Sequence, residues 1–236
     1  HRLRGWCYLM VFNHTPLIPY EQAQKPLLVS NNGYSHYEVN GTKIPRITKI
    51  LNSYQNEGLI AWREKMGEYA ANMEMKRGLE RGNSVHKISE AYLKNELRVG
   101  QYKTEILGYG MFEALIPYLN RTSDIRAIEA PVYHRGFNVA GTADIIANFD
   151  GTLSIIDLKT SKMPKRFEWC KKYFLQECFY SLAIEDMTNL PIGTLITLEV
   201  SENGVVQVLK EDRDSWIQEL ETIISKYNQF NPGVSV

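Results

Sequence analysis

The spacing of apolar residues divides the chain into a largely helical first half and a second half in which strands and helices alternate. Apolar residues recur at helical spacing from about residue 48 to residue 97, with interruptions near 52–53 and over 78–83. A second helical stretch runs from about 104 to 119. The first half therefore predicts helices, not strands, over most of its length.

Two features precede these helices. Residues 13–32 are rich in proline and polar side chains, which predicts a loop. In the segment HYEVNGTKI the apolar positions alternate around Asn40-Gly41, a dipeptide that favours a two-residue hairpin turn. We therefore expect residues 1–32 to be an N-terminal extension or loop, and residues 33–236 to form a single domain.

The pattern changes to strands after residue 126. Three apolar segments predict a meander, at 127–134, 138–149 and 152–160. The turn dipeptides Arg135-Gly136 and Asp150-Gly151 join them. The rest of the chain predicts a helix from about 167 to 187, a hairpin turning across 202–204 and a final helix near 212–227. This order of elements predicts one mixed α/β (α+β) domain.

The hairpin at Asp150-Gly151 places two acidic residues together. A two-residue turn there pairs Asp144 with Asp157, and directly opposed side chains have Cβ atoms about 4.5–5.5 Å apart. Strand alternation puts Lys159 on the same side as Asp157. The flanking residues are apolar, so both carboxylates need a counter-charge. Either Lys159 alone provides it through a salt bridge, with one aspartate exposed, or a cation such as Mg²⁺ is also bound.

Several other polar residues are candidates for the same site. His86 lies on a predicted helix with Glu90 one turn later, so it is either an imidazole ligand or a structural histidine. Glu129 begins the first meander strand and is either a third acid near the metal or a surface residue. Gln176 and Tyr180 are four residues apart and share a helix face, where they can hydrogen-bond phosphate or sugar.

Basic residues cluster from Lys159, near the end of the third meander strand, onwards. The cluster comprises Lys159, Lys162, Lys165, Arg166, Lys171 and Lys172, with Glu168 as the one acid among them. Such a run is either a solvated helix face or a surface that binds a phosphate backbone. The interleaved aromatic residues are Phe167, Trp169, Tyr173 and Phe174, which either belong to the core or stack on unpaired bases.

Composition narrows the class of protein. Lys+Arg and Asp+Glu are equal at 27 each, so any basic surface must be local. The three cysteines form no CxxC pair, which predicts neither a disulfide framework nor an iron–sulfur cluster and favours a reducing compartment. The apolar run GWCYLMVF is short for a membrane span. We expect a cytoplasmic protein without membrane association or an obligate protein partner, and a mitochondrial location stays open.

Four motifs together resemble the PD-(D/E)XK nuclease superfamily. They are Gly82xxxHis86, Gly141-Thr-Ala-Asp144, Asp157-Leu-Lys159 and Gln176xxxTyr180. The histidine and glutamine–tyrosine motifs are similar to those of its RecB-like exonuclease branch. The segments IPRITKIL, AWREKM, RGNSVHKISEAYL and DLKTSKMPKRF resemble the mitochondrial genome maintenance exonucleases and their bacteriophage-encoded relatives. This likeness covers roughly residues 44–180.

The resemblance implies a restriction-endonuclease-like core, with a central mixed sheet flanked by helices, that cleaves DNA with Mg²⁺ or Mn²⁺. It implies a preference for single strands with free ends and a role in replication, repair or recombination, in a bacterium or a phage-infected host. Asp144, Asp157 and Lys159 would be catalytic, and His86 would join the two aspartates as a metal ligand. Substrate contacts would come from Gln176 and Tyr180. The cysteine quartet of the iron–sulfur members is absent from the sequence.

Two other functions stay open at this point. The first is a catalytically inactive nuclease fold that binds nucleic acid or a protein partner. The second is a Mg²⁺ enzyme acting on small phosphate esters. Intact Asp144, Asp157 and Lys159 argue against the first, and the basic and aromatic segment 159–174 suits a polymer better than a small ester.

Overall fold

The computed structural model describes residues 10–31, 34–54, 57–98, 100–102 and 104–231. Cys7 and most of the apolar run at 5–12 lie outside the described residues. Within these ranges, no helix is both long enough and apolar enough to cross a membrane.

The first half of the chain contains a small sheet and most of the helices. Its elements are α1 (Ile18–Gln22), β1 (Leu27–Asn31), β2 (Tyr34–Val39), β3 (Thr42–Ile44), α2 (Ile47–Ser53), α3 (Glu57–Met66), α4 (Glu68–Leu93) and α5 (Ile106–Leu119). The three strands form an antiparallel sheet in the order β1-β2-β3, and the predicted hairpin at Asn40-Gly41 is confirmed. Tyr37 and Ile44 of this sheet pack against Ala140 in the second half of the chain.

The second half builds the larger sheet. Its elements are β4 (Thr122–His134), β5 (Val139–Phe149), β6 (Thr152–Ser161), α6 (Lys171–Thr188), β7 (Thr194–Ser201), β8 (Val206–Asp212) and α7 (Ile217–Phe230). The five strands lie in chain order, antiparallel except for β6 and β7, which are parallel. Parallel neighbours need a crossover connection, and α6 provides it. The predicted mixed α/β fold, with a central mixed sheet flanked by helices, is confirmed.

Helices cover both faces of the larger sheet. On one face α2, α6 and α7 pack against residues that include Ile146 and Ile155, and on the other α4 and α5 pack against residues that include Ile145 and Ile156. All four isoleucines are buried. Strands β5 and β6 are therefore buried on both faces, as their near-continuous apolar sequence predicts.

Two details of the first half differ from the sequence-based prediction. Residues 13–32 were expected to be a loop, but this segment contains α1 and the edge strand β1. Strand β1 pairs with β2 across the expected boundary at residue 32, and the division into 1–32 and 33–236 stays a prediction. These short elements carry little pattern of their own and depend on the sheet they pack against.

The helix break expected at 78–83 was also wrong, because α4 continues through it and begins after Gly67, whose φ of +80° does not fit a helix. Packing against the rest of the protein stabilises α4 despite the glycines inside it. A Cβ on Gly82 would lie only 3.5 Å from Thr160 Oγ1, so the helix passes close to β6. Arg81 adds an ion pair with Glu202 in the β7–β8 turn.

Candidate active site

The β5–β6 hairpin has the register that the sequence predicts. Asp150 and Gly151 both have positive φ, +48° and +79°, as a two-residue type I′ turn requires. Cα pairing begins at Phe149 with Thr152 and continues to Ile145 with Ile156, so the hairpin register is confirmed. Regular pairing ends one residue before the two aspartates, so the predicted pairing of Asp144 with Asp157 is not part of the ladder.

Asp144 is held by the neighbouring strand. Its Oδ2 accepts a hydrogen bond from the backbone N–H of Leu158, at 2.8 Å. The carbonyl of the same Leu158 lies 2.8 Å from His86 Nε2. Because a carbonyl only accepts, that imidazole nitrogen carries a proton. His86 Nδ1 then faces Asp144 Oδ2 at 3.5 Å. Helix α4 thus places its histidine against the carboxylate that the sheet presents.

Glu129 completes this acidic cluster. Its neighbours Ile128 and Ala130 pair with Ile145 and Ala143, so Glu129 lies opposite Asp144 across β4 and β5. It has a φ of +50°, a left-handed backbone that is uncommon for glutamate and often found at functional sites. Burial, followed by the charge of Asp144, raises the pKa of Glu129 to about 7. The sequence left Glu129 open as a third acid near the metal or a surface residue, and the observed β4–β5 register places it beside Asp144.

Asp157 lies beneath the cluster. Its side chain is completely buried and forms an ion pair with Lys159, whose side chain is 19% exposed. Burial raises the pKa of Asp157 to about 6 although Lys159 opposes the shift. Burial alone would lower the pKa of the Lys159 ammonium, but Asp157 and Asp144 raise it overall. With two carboxylates and one ammonium, this part of the site retains an excess of negative charge.

Gln176 and Tyr180 face Lys159 from α6. Lys159 Nζ donates to Gln176 Oε1 at 3.4 Å, and Gln176 Nε2 donates to the Tyr180 hydroxyl at 2.6 Å. Tyr180 is buried against β5, where a Cβ on Gly141 would lie 2.7 Å from its ring. The glycine that begins the GTAD motif is therefore required by this close approach. Gln176 thus contacts the lysine and Tyr180 contacts Gln176, and contact of either residue with substrate stays a prediction.

These groups open into one cleft of about 640 Å³. Helix α4 forms one wall, β2 and the residues before α2 form another, and β5 and β6 form the floor. The predicted site residues that line it are His86, Glu90, Glu129, Asp144, Lys159, Gln176 and Tyr180. Glu90 also pairs with Lys94 at 2.6 Å.

The members of the basic cluster that follow Lys159 do not line the cleft. Lys171 pairs with Glu219 of α7 at 2.7 Å, and Lys162 and Arg166 are exposed. Lys172 is half-buried. Lys165 lies 4.7 Å from the centre of the Tyr173 ring, and Lys159 lies 5.3 Å from the same ring. Tyr173 thus contacts both Lys165 and Lys159, and the role of the cluster in binding substrate stays a prediction.

The charged residues near the site that the sequence analysis missed include Arg46 and Glu177. Arg46, in the segment IPRITKIL, lines the cleft because the small sheet brings it there, and no local pattern marks it. Glu177 is completely buried and accepts a hydrogen bond from the Thr197 hydroxyl. Burial, followed by the charge of Asp157, raises the pKa of Glu177 well above its ordinary value. In the sequence, Glu177 stands between the apolar residues Leu175 and Cys178 on a predicted helix, and this position could have indicated a buried acid.

The cluster formed by His86, Glu129 and Asp144 suits a hard divalent cation. One ligand atom each from His86, Glu129 and Asp144 lies within 4.8 Å of the others. Carboxylate oxygens and an imidazole nitrogen fit Mg²⁺ or Mn²⁺. Because Nε2 donates to the Leu158 carbonyl, Nδ1 is the ring nitrogen that would ligate a cation beside Asp144 Oδ2. Asp157 lies outside this set, and its assignment as a metal ligand stays a prediction.

The fold is the mixed α/β arrangement expected of a nuclease of the superfamily that the motifs resemble. A sequence profile of the PD-(D/E)XK nuclease superfamily matches residues 57–233, and the chain belongs to this superfamily.

Two similar proteins are both named Mitochondrial genome maintenance exonuclease 1. The protein from Homo sapiens is 25% identical over 168 residues, which are 66% of this chain and 47% of that protein. The protein from Mus musculus is 27% identical over 164 residues, which are 64% of this chain and 46% of that protein. The chain thus spans about half the length of the curated relatives it matches.

Proposed function

We propose that this chain is a divalent-metal-dependent DNA exonuclease that hydrolyses phosphodiester bonds and prefers single strands with free ends. The observation that carries the proposal is the meeting of His86, Glu129 and Asp144 within 4.8 Å of one another in a cleft that Lys159 also lines. Membership of a nuclease superfamily supports phosphodiester cleavage. The name of the relatives supports an exonuclease that acts on a genome.

His86, Glu129 and Asp144 would hold the cation, with Mg²⁺ or Mn²⁺ as the candidates. When bound, it would act as a Lewis acid on the phosphate and lower the pKa of water. Asp157 is proposed as a further ligand because its buried Oδ1 lacks a hydrogen-bond donor among the described residues, while its Oδ2 pairs with the Lys159 ammonium. This ion pair would therefore have to loosen before Asp157 could bind a metal ion.

Lys159 would stabilise negative charge on the phosphate. Its raised pKa keeps the ammonium protonated at neutral pH, which argues against a role as general base. Gln176 accepts from the ammonium and limits its positions. A fixed cation in a site largely withdrawn from water stabilises developing charge more strongly than a mobile one.

A polymeric substrate is supported by the surroundings of the cleft. We propose that Lys162, Lys165, Arg166, Lys171 and Lys172 bind the phosphate backbone beside it. Phosphate contacts of this kind make binding fall steeply with salt concentration. Lys171 would contribute least, because Glu219 already neutralises it. We also propose a cytoplasmic location, with a mitochondrial one still open since the relatives carry that word in their names.

A cleavage assay tests this function. The purified protein is incubated with Mg²⁺ or Mn²⁺ and with linear single-stranded, linear double-stranded and circular single-stranded DNA. We expect cleavage of the linear single strand, slower cleavage of the duplex, no cleavage of the circle and no reaction in EDTA. Asp144→Asn and Lys159→Ala should lose nearly all activity, whereas the exposed Lys210→Ala control should retain it.

Each alternative function predicts a different result. Equal cleavage by Asp144→Asn and the parent would place the active site elsewhere. Tight binding of DNA without cleavage by the parent would favour an inactive nucleic-acid-binding module. Hydrolysis of bis-p-nitrophenyl phosphate without cleavage of any DNA would favour an enzyme of small phosphate esters. Cleavage of the circular strand would remove the requirement for a free end.

A further inference from the structure

The lysines and arginines that line the cleft differ in their partners. Lys87 lies 3.6 Å from the Glu105 carboxylate, and Lys159 is paired with Asp157. Arg46 is half-buried, yet no carboxylate of the described residues lies within 4.0 Å of its guanidinium. Among the described residues that line the cleft, Arg46 is thus the lysine or arginine whose charge is not neutralised by an acid.

The guanidinium of Arg46 is nevertheless fixed in place. Its Nη1 donates to the Ser35 hydroxyl, and its Cζ lies 5.8 Å from the centre of the Tyr37 ring. The backbone is fixed as well, since Ala140 N–H donates to the Pro45 carbonyl at 3.0 Å. A guanidinium has five N–H donors in a planar fork, and one contact with Ser35 leaves most of them available.

The same contacts place Arg46 beside the acidic cluster. The Tyr37 hydroxyl lies 2.6 Å from Thr142 Oγ1. Thr142 is two residues before Asp144 on β5, so both side chains lie on the same face of the sheet. Arg46 and Asp144 thus line one cleft, with the Tyr37–Thr142 contact linking their positions. A strand bound at Asp144 would have its neighbouring phosphate within this part of the cleft.

We propose that Arg46 binds a backbone phosphate of the DNA next to the one that is cleaved. This inference rests on the proposed function. A half-buried cation without an acidic partner is unfavourable until an anion occupies the site. Guanidinium matches phosphate through two parallel hydrogen bonds, which lysine cannot make. Arg46 therefore sets the register of the strand relative to the metal-binding cluster.

Binding of a labelled oligothymidylate tests this inference, with Ca²⁺ in place of Mg²⁺ so that an oxygen-liganded cation is present. We expect Arg46→Gln to bind roughly ten- to a hundredfold more weakly than the parent, the size expected for a charge-assisted hydrogen bond. Arg46→Lys should bind with intermediate affinity. Lys49→Gln, which changes an exposed cation on α2 three residues after Arg46, is the matched control and should bind nearly as the parent does. Equal melting temperatures establish that the variants are folded.

Oligonucleotides with one neutral methylphosphonate at successive positions locate the contact. At a single position near the end, the parent should lose affinity and the difference between the parent and Arg46→Gln should disappear. The slope of log Kd against log salt should fall by about one for this variant.

Unchanged binding by Arg46→Gln, or an equal loss with every oligonucleotide, would overturn the inference while leaving cleavage by the parent intact. Failure of the parent both to bind and to cleave DNA would instead overturn the proposed function, and the inference with it.

Discussion

Replacing Glu129 by glutamine separates the stability of the protein from its proposed capacity to bind metal. Burial and the neighbouring Asp144 raise the pKa of Glu129 from 4.5 to about 7. Below the lower of these values the carboxyl is protonated in the folded and unfolded chains alike, so glutamine is a near-neutral replacement. As the pH rises between them, the unfolded chain ionises first and the folded parent loses stability.

The magnitude follows from this difference in pKa. It corresponds to about 3 kcal/mol at full strength, and solvent screening of a side chain that is not fully buried reduces it to about 1–2 kcal/mol. In a chain of this size such a gain raises the melting temperature by on the order of 5 °C. We expect Glu129→Gln to have the same melting temperature as the parent near pH 4.5 and a higher melting temperature than the parent at pH 8.

Differential scanning calorimetry from pH 4.5 to pH 8, with and without Mg²⁺, makes the comparison. Added Mg²⁺ should stabilise the parent at pH 8 and stabilise Glu129→Gln much less, because a metal that binds only the folded state raises stability with its concentration. The exposed Glu113→Gln substitution is the control and should follow the parent throughout. A Glu129→Gln protein that is no more stable than the parent at pH 8, or that gains equally from Mg²⁺, would refute the reasoning.

Two further substitutions test how the site is positioned. Gly141→Ala places a Cβ 2.7 Å from the Tyr180 ring, so we expect a loss of about 1–3 kcal/mol of stability in urea unfolding together with reduced cleavage. Gly193→Ala, where a Cβ meets nothing within 4 Å, is its control, and equal stability of the two variants would contradict the packing argument. Glu202→Ala leaves the largely buried Arg81 without its carboxylate and should destabilise the chain by about 1–3 kcal/mol in the same assay. An unchanged unfolding midpoint would show that this ion pair does not anchor α4.

Local patterns in the sequence determined the central hairpin well. The Asp150-Gly151 turn fixes the register of β5 and β6, and strand alternation then places Lys159 with Asp157. Helical spacing on α6 likewise predicted that Gln176 and Tyr180 share a face. These features depend on residues close in the chain, which is why periodicity and turn chemistry reveal them.

The remaining features depend on contacts between distant segments. Asp157 was expected directly opposite Asp144 as a second metal ligand, but its completely buried side chain pairs with Lys159 and lies outside the group of His86, Glu129 and Asp144. Arg46 enters the cleft only because the small sheet packs on β5 through Tyr37 and Ala140. The continuity of α4 past its glycines depends on β6 and the β7–β8 turn. Local sequence patterns do not indicate such packing, so the sequence alone did not predict where these residues lie relative to the cleft.

Titration with Mn²⁺, followed by the electron paramagnetic resonance of the free ion, tests the central claim most directly. The claim is that His86, Glu129 and Asp144 form a divalent-cation site. We predict saturable binding by the parent at neutral pH, competition by Mg²⁺, and loss of the tightest site in Asp144→Asn while Lys210→Ala binds as the parent does. Mn²⁺ binding that is absent from the parent, or unchanged in Asp144→Asn, would contradict the account.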